Sequence, residues 1–315
     1  MIPFLLLPLL SFQDAPPAVA KRTPIVATSA PTVLLDVDDL VEGMESPLPD
    51  ANETAAHRKG RATTEFAGLL ERWMDPPFDQ TVDRIEVVAP GQLAVCASAD
   101  KLGWTGRFCE LQRRAKPLID VQFSIVEAPR GAMKSLGIES ATRTFDKPAE
   151  FDAFLARVKN LDGVNFLSAP RLVTFPRSLG SLSAGDPVSY IADWRMEIVE
   201  PGPRSIGVPT VATILDGLSV ESRAFLVEEN LFGLELKFTS TRVERPIPTK
   251  KIRIGTGEGH EVEVGLPVAN KVGLDTRMKL ADGASHVLVA LSSDEGREVA
   301  VTVTLRRVEP GSEPR

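Results

Sequence analysis

The 315 residues carry a formal charge of −7, with 43% hydrophobic and 6% aromatic side chains. That length allows one large or two modest domains, and the hydrophobic share is ordinary for a chain that buries a core. The positive residues are scattered, so nucleic acid and an anionic membrane surface are poor partners, since each needs a basic patch.

The chain opens with the apolar run Phe4-Leu5-Leu6-Leu7-Pro8-Leu9-Leu10, too short to cross a bilayer as a helix. It fits the apolar part of a secretory signal, with Ala18-Val19-Ala20 as a small-residue cleavage site. No Lys or Arg precedes the run, and Pro3 and Pro8 interrupt it. Residues 1–20 are therefore expected to be a signal peptide and the chain to be exported. Residues 21–60 read as a linker rich in Pro, Ala, Thr and acids, with one strand over Val33-Leu34-Leu35-Asp36-Val37. Asp36, Asp38, Asp39 and Glu42 read as linker charge, because no glycine-turn calcium loop follows them.

Residues 61–117 read as a compact α+β unit. Thr63 or Thr64 caps a helix whose apolar face is Phe66, Leu69, Leu70 and Trp73, and Asp75-Pro76-Pro77 stops it. Ala89-Pro90-Gly91 is a turn between two apolar runs, at 84–88 and 92–96, so they form a hairpin. Asp100 then suits the cap of a helix carrying Trp104, Phe108 and Leu111. Cys96 and Cys109 are either a pair for an oxidising compartment or two small core residues. They are no metal site, having no histidine near them.

Residues 118–309 read as a mostly antiparallel β domain with one helix, and 310–315 as a disordered tail. A strand over 118–127 ends in Val126-Glu127, where Glu127 reads as a rim carboxylate. Residues 133–144 stay unassigned. Asp146-Lys147-Pro148 opens the helix, Phe151, Phe154, Leu155 and Val158 form its buried stripe, and Gly163 suits its C′ position. Along 188–198, Val188, Tyr190, Ala192, Trp194, Met196 and Ile198 share one face of a strand, with Ile191 the exception. That strand has the length and alternation of a membrane-spanning strand and equally of a half-buried soluble one. The return, 208–215, is short and broken by Pro209, which favours the soluble reading. A hairpin at 216–239 turns at Glu228-Glu229-Asn230, with Phe232, Leu234, Leu236 and Phe238 inward. The chain ends in a meander over 275–305, with a strand at 287–291 apolar on both faces. Residues 164–309 are expected to form one continuous sheet system.

Little in this pattern is chemistry. The glycine-rich 255–259 joins two strands, opens no helix and contains an acid, so it is no phosphate loop. His57, His260 and His286 lie far apart, and Ser168 in Ser-Ala-Pro is no nucleophile elbow. No catalytic, cofactor-binding or metal-ligating residue is assigned.

The stretch 161–191 has a resemblance. Leu167-Ser168-Ala169-Pro170-Arg171-Leu172-Val173-Thr174, followed by Ala184-Gly185-Asp186-Pro187-Val188-Ser189-Tyr190, looks like the core signature of the secretins. Those are the outer-membrane ring proteins of type II and type III secretion and of type IV pili. The hairpin and helix of 61–117 are similar to the N-domains that precede that core, the valine-glutamate strand end to its opening strand, and the helix feeding 167–170 to its arrangement. Ala290-Leu291-Ser292 stands where the family carries paired glycines, and the proline- and glycine-containing loop that normally follows is missing. The resemblance implies a non-enzymatic, cofactor-free scaffold or channel subunit of the cell envelope, in periplasm or outer membrane, self-associating or joining other envelope proteins. The departures imply a shortened member that does not span the membrane. The alternatives are a soluble monomeric periplasmic β-domain binding protein and an undetected hydrolase.

Overall fold

The computed structural model describes residues 30–42, 44, 53–114, 117–199, 204–254, 260–291 and 296–308. The expected signal peptide at 1–20, the glycine-rich 255–259 and the tail at 310–315 lie outside the described residues. The chain is α+β, mostly antiparallel sheet, as its alternating patterns require.

The first strand, Thr32–Asp36 (β1), leads into the short helix Asp38–Val41 (α1) and then the long helix Ala55–Trp73 (α2). Most of this lies in the stretch expected as linker. Val37, Leu40, Val41 and Met44 are buried in a core instead, because β1 pairs with a later strand and anchors them. Helix α2 also begins a turn or more before the expected cap. The Thr54 hydroxyl accepts from the His57 amide at 3.3 Å and caps the helix. Thr63 and Thr64 sit inside it, their hydroxyls donating to the carbonyls of Lys59 and Gly60 one turn back. Thr63 gains a second use: its oxygen accepts the Gly91 amide at 2.8 Å and ties the helix to the next hairpin.

That hairpin is Arg84–Ala89 (β2) and Gln92–Cys96 (β3), turned by Gly91 at φ 84°, where a side chain would be strained. With β1 it forms a sheet of order β1-β3-β2. Helix Ala99–Arg114 (α3) follows. Asp100 falls in its first turn; the Ser98 carbonyl receives the first helical bond, from Leu102. Neither cysteine enters a disulfide, and Cys109 is buried in the core under α2 and α3.

Leu118–Pro129 (β4) begins the β domain. The unassigned 133–144 overlaps a second short helix, Ala132–Ser135 (α4), and the strand Thr142–Phe145 (β5), so among its described residues this part has two helices rather than one. Glu298, buried, explains α4: its carboxylate accepts the amides of Gly131 and Met133 at 2.9 and 2.7 Å. Pro148–Lys159 (α5) follows as expected, with Phe151, Phe154 and Val158 buried. Its cap is Asn160, however; Gly163 takes a left-handed φ of 74° three residues further on.

The remaining strands are Asn165–Ser168 (β6), Arg171–Thr174 (β7), Leu179–Val199 (β8), Arg204–Glu228 (β9), Leu231–Val243 (β10), Thr249–Ile254 (β11), His260–Gly265 (β12), Ala269–Ala281 (β13), Ser285–Leu291 (β14) and Arg297–Val308 (β15). They do not make one sheet. A four-stranded sheet has order β13-β10-β9-β8, and a six-stranded one has order β5-β14-β15-β4-β6, with β7 also on β4. Among the described residues, strands β11 and β12 pair only with each other. The expected terminal meander is thus split: β13 pairs with β10, while β14 pairs with β15 and β5. The turn at Asp282-Gly283 carries the chain from one sheet to the other, and this is what lets the two pack face to face.

Between the sheets lies the largest core. Ile119, Val121, Phe123 and Ile125 of β4 and Val299, Val301, Val303 and Leu305 of β15 meet Val220 of β9 and Phe232, Leu234, Leu236 and Phe238 of β10. Each such side chain contributes about 1.5–3 kcal/mol of burial. Helix α5 covers the outer face of the six-stranded sheet through Val126, Ala300 and Val287. On the far side, Phe225 and Val227 of β9 enter the core of α2 and α3. Strand β9 is therefore buried on both faces over Ala224, Phe225, Leu226 and Val227.

Candidate functional site

The signature 167–174 works as a splint. Ser168-Ala169-Pro170 interrupts the chain between β6 and β7, and both strands pair with the same edge of β4. Pro170 has no amide for a ladder, yet its carbonyl accepts the Phe123 amide at 2.9 Å and holds the break in place. Arg171 then grips Asp120 of β4 through Nε and Nη2 at 2.7 and 2.9 Å. Asp120 is buried, and its hydrogen bond raises the Arg171 guanidinium above its ordinary pKa.

The second half of the signature bends the long hairpin. Gly185 of β8 faces Gly217 of β9. A Cβ on Gly185 would stand 2.6 Å from the Gly217 Cα and against the Asp216 carbonyl oxygen, and Gly185 has φ 152°. Only two glycines allow this approach. Strand β10 pairs with β9 no further than Gly217, so beyond it β8 and β9 leave the four-stranded wall as a two-stranded arm.

The arm is longer and differently faced than its sequence predicts. The return is one unbroken strand, with Pro209 opposite Trp194. A bulge between Ile191 and Asp193 leaves Ala192 without a partner. One extra residue reverses every later side chain. Val188 and Tyr190 pair with Ile214 and Ala212, whereas Trp194 and Met196 pair with Pro209 and Gly207, which lie on the other face of β9. The single apolar stripe expected along 188–198 is thus two half-stripes on opposite faces. The β11–β12 ribbon lies against the arm: the Trp194 indole donates to the Glu263 carbonyl at 2.9 Å, and Ile254 abuts Gly207.

At the joint between arm and wall is a cavity of about 370 Å³, reached by Glu127, Ser168, Asp216, Arg242 and Asn270. It brings together two acids that the sequence does not pair. Each is neutralised: Glu127 by Arg297 at 3.1 Å and Arg242 at 3.7 Å, Asp216 by Arg245 at 2.9 Å and the Val243 amide at 3.2 Å. Ser168 has no histidine beside it in the cavity. His57 lies in the first turn of α2, His286 is on β14 with Nδ1 2.8 Å from the Thr144 hydroxyl, and the side chain of His260 lies outside the described residues. The linker acids are also engaged, Asp38 with Lys59 and Asp39 with Arg113 at 3.1 Å. No group of three metal-ligating side chains occurs among the described residues. This is the chemistry of a salt-bridged joint.

A seam of charge also fastens α2 to β9 and β10. Arg72 and the Trp73 indole both donate to Glu235, and Arg223 donates to Glu65 at 2.8 Å. Trp73 stands edge-on to Phe225 with centroids 5.2 Å apart. Arg177, in the turn before β8, has φ 70° and is only 9% exposed. Burial holds its guanidinium below the ordinary pKa.

The two outer strands of the four-stranded sheet are open along one side. Among the described residues, β8 and β13 each have a ladder partner on one side only. Their charges are opposite. Strand β13 exposes Lys271, Arg277 and Lys279 with Asp275, and β8 exposes Asp186, Asp193 and Glu197 with Arg195. In sequence these charges are an ordinary alternation; only the strand order makes them two rims.

No protein-family model matches the chain, and no curated protein does. Among solved structures, the chain is similar to the type II secretin GspD of enteropathogenic Escherichia coli, at 12% identity over 89% of this chain and 88% of that one, with a TM-score of 0.34. It is also similar to the InvG secretin domain β-barrel of the Salmonella injectisome, at 12% identity over 86% of each chain and a TM-score of 0.32. The Vibrio cholerae competence pilus secretin PilQ matches at 12% identity over 89% of this chain and 77% of that one, with a TM-score of 0.30. Superpositions this loose transfer no site and no role.

Proposed function

We propose that this chain is a non-enzymatic, exported, secretin-like subunit of a cell-envelope assembly for protein secretion or pilus formation, joined to copies of itself through β8 and β13. On this reading residues 1–20 are removed on export, 61–117 are an N-domain-like unit and 118–309 the assembling β domain, placed in the periplasm or at the outer membrane.

The observation that carries it is the pair of open edges. Strands β8, β9, β10 and β13 alternate in direction. Four is even, so β13 of one copy runs antiparallel to β8 of the next and the ladder continues without a break. An edge of 21 residues, about 70 Å at the usual rise, is a hazard unless something pairs with it. Lys271 is level with Gly185 through Thr241 and Gly217, next to the exposed acid Asp186 of β8, which favours head-to-tail joining over two like edges. The reversed stripe on the arm supports a collar or scaffold over a lipid-facing wall, which needs a continuous apolar face.

Native mass spectrometry and negative-stain imaging of the extracted full chain test this. Closed multimers are expected. Reversal of Lys271 to Glu should weaken them, and adding Asp186→Lys, on β8 beside the level of Lys271, should restore them. Monomers alone at micromolar concentration would remove the assembly reading.

A further inference from the structure

The turn that joins β7 to β8 buries a charge. Arg177 lies in that turn, and its amide donates to the Ala224 carbonyl of β9 at 2.7 Å. Its guanidinium is within electrostatic reach of Asp39 on α1 and Cys109 on α3. Only 9% of the residue is exposed. Among the described residues, Nε and Nη1 have no hydrogen-bond acceptor. The φ of 70° is a left-handed conformation that residues other than glycine adopt at a cost. Backbone strain and a buried charge thus fall on one residue.

A buried guanidinium is costly unless an anion faces it, and it cannot escape by giving up its proton as a lysine can. Among the described residues no carboxylate takes that place. Asp39 is bound to Arg113 Nε at 3.1 Å, and it is more than half exposed, so it stands at the rim while Arg177 lies inside. Arg113 is itself fixed there, because its Nη2 donates to the Asp36 carbonyl at 2.6 Å. Two guanidiniums therefore share one carboxylate, and one positive charge is left over. The Cys109 thiol does not balance it. Burial pushes that thiol up to about 11, so it stays protonated and neutral.

We infer that Arg177 binds a small inorganic monovalent anion, chloride or one of its size, between α1, α3 and the β7–β8 turn. The donors that hold it are Nε and Nη1, and a charge-assisted bond to each satisfies both. The enclosure of Arg177 sets the size: a bulky organic anion does not enter. The ion neutralises the one charge that the helices and the turn leave unbalanced, and so steadies the start of the long hairpin against α1 and α3. This site is separate from the β8 and β13 edges and does not rest on their pairing.

The test is thermal melting of the full chain at fixed ionic strength, with sodium gluconate exchanged stepwise for sodium chloride. The melting temperature should climb by a few degrees for each tenfold rise in chloride above its Kd, as binding to the folded state alone requires. Arg177→Gln should melt at the same temperature in both salts. No difference between the salts in the wild-type chain would overturn the site. A climb of equal size in Arg177→Gln would also overturn it and mark an adventitious ion only. Should Arg177→Gln not fold, wild-type crystals grown in bromide decide the matter. An anomalous-scattering peak within hydrogen-bond distance of Arg177 Nε or Nη1 is expected, and its absence there would overturn the assignment.

Discussion

Arg171 holds Asp120 with two parallel hydrogen bonds, 2.7 and 2.9 Å long, and the Gln122 amide donates to the same carboxylate at 2.8 Å. The signature is thereby clamped onto the strand that opens the β domain, and the hairpin after it starts from a fixed point.

Removing one side of that clamp leaves Asp120 buried and uncompensated. Arg171→Leu should cost about 2–4 kcal/mol, discounted from the roughly 3–5 kcal/mol of a fully buried broken pair because Arg171 is partly solvated. Arg171→Lys should recover only part of this, since an ammonium cannot bond in parallel. Urea midpoints check it. A loss below about 0.5 kcal/mol, the size of a surface pair, would contradict the clamp.

The glycine pair has a sharper outcome. Gly217→Ala drives a methyl against the Ala184 carbonyl and to 2.5 Å from the Gly185 Cα, so the strands must part. It should unfold the joint or lower the melting temperature by many degrees. Gly106→Ala is the contrast: nothing lies within 4 Å of its added Cβ, and it is inside α3. That change should stabilise by about 0.5–1 kcal/mol.

Cys109 carries a chemical prediction. Burial pushes its thiol up to about 11, although Arg113 and Arg177 pull the other way. In a Cys96→Ser variant the remaining thiol should resist alkylation in the folded protein at pH 8, because the thiolate is the reactive form. It should react fully in denaturant. Rapid native labelling would show that the core of α2 and α3 is not closed.

His286 predicts a pH dependence. Burial holds its imidazole below the ordinary value. The unfolded chain binds the proton more readily, so stability is whole above the unfolded value of about 6.5 and falls as pH drops through it, levelling off below the folded value. His286→Gln should flatten that decline. The quantity to compare is the urea midpoint of wild type minus variant from about pH 7.5 to about pH 5; a difference that does not change with pH would contradict the shift.

Much of this protein was determined locally. The α+β class, the hairpin around Ala89-Pro90-Gly91, helix α5 on its phenylalanine stripe, the inward Phe232, Leu234, Leu236 and Phe238, and the buried Val287-Leu288 of β14 all follow from periodicity and turn chemistry, which neighbouring residues impose on one another; Leu291, expected inside as well, is exposed. Tertiary structure decided what depends on distant partners. Val37 and Leu40 are core because β1 finds β3; β13 leaves β14 because β10 offers it a ladder; Glu127 and Asp216 meet because two sheets stack. The bulge at Ala192 was invisible for the same reason. An unpaired residue exists only relative to the strand opposite, and no period within one strand records which face its partner will take.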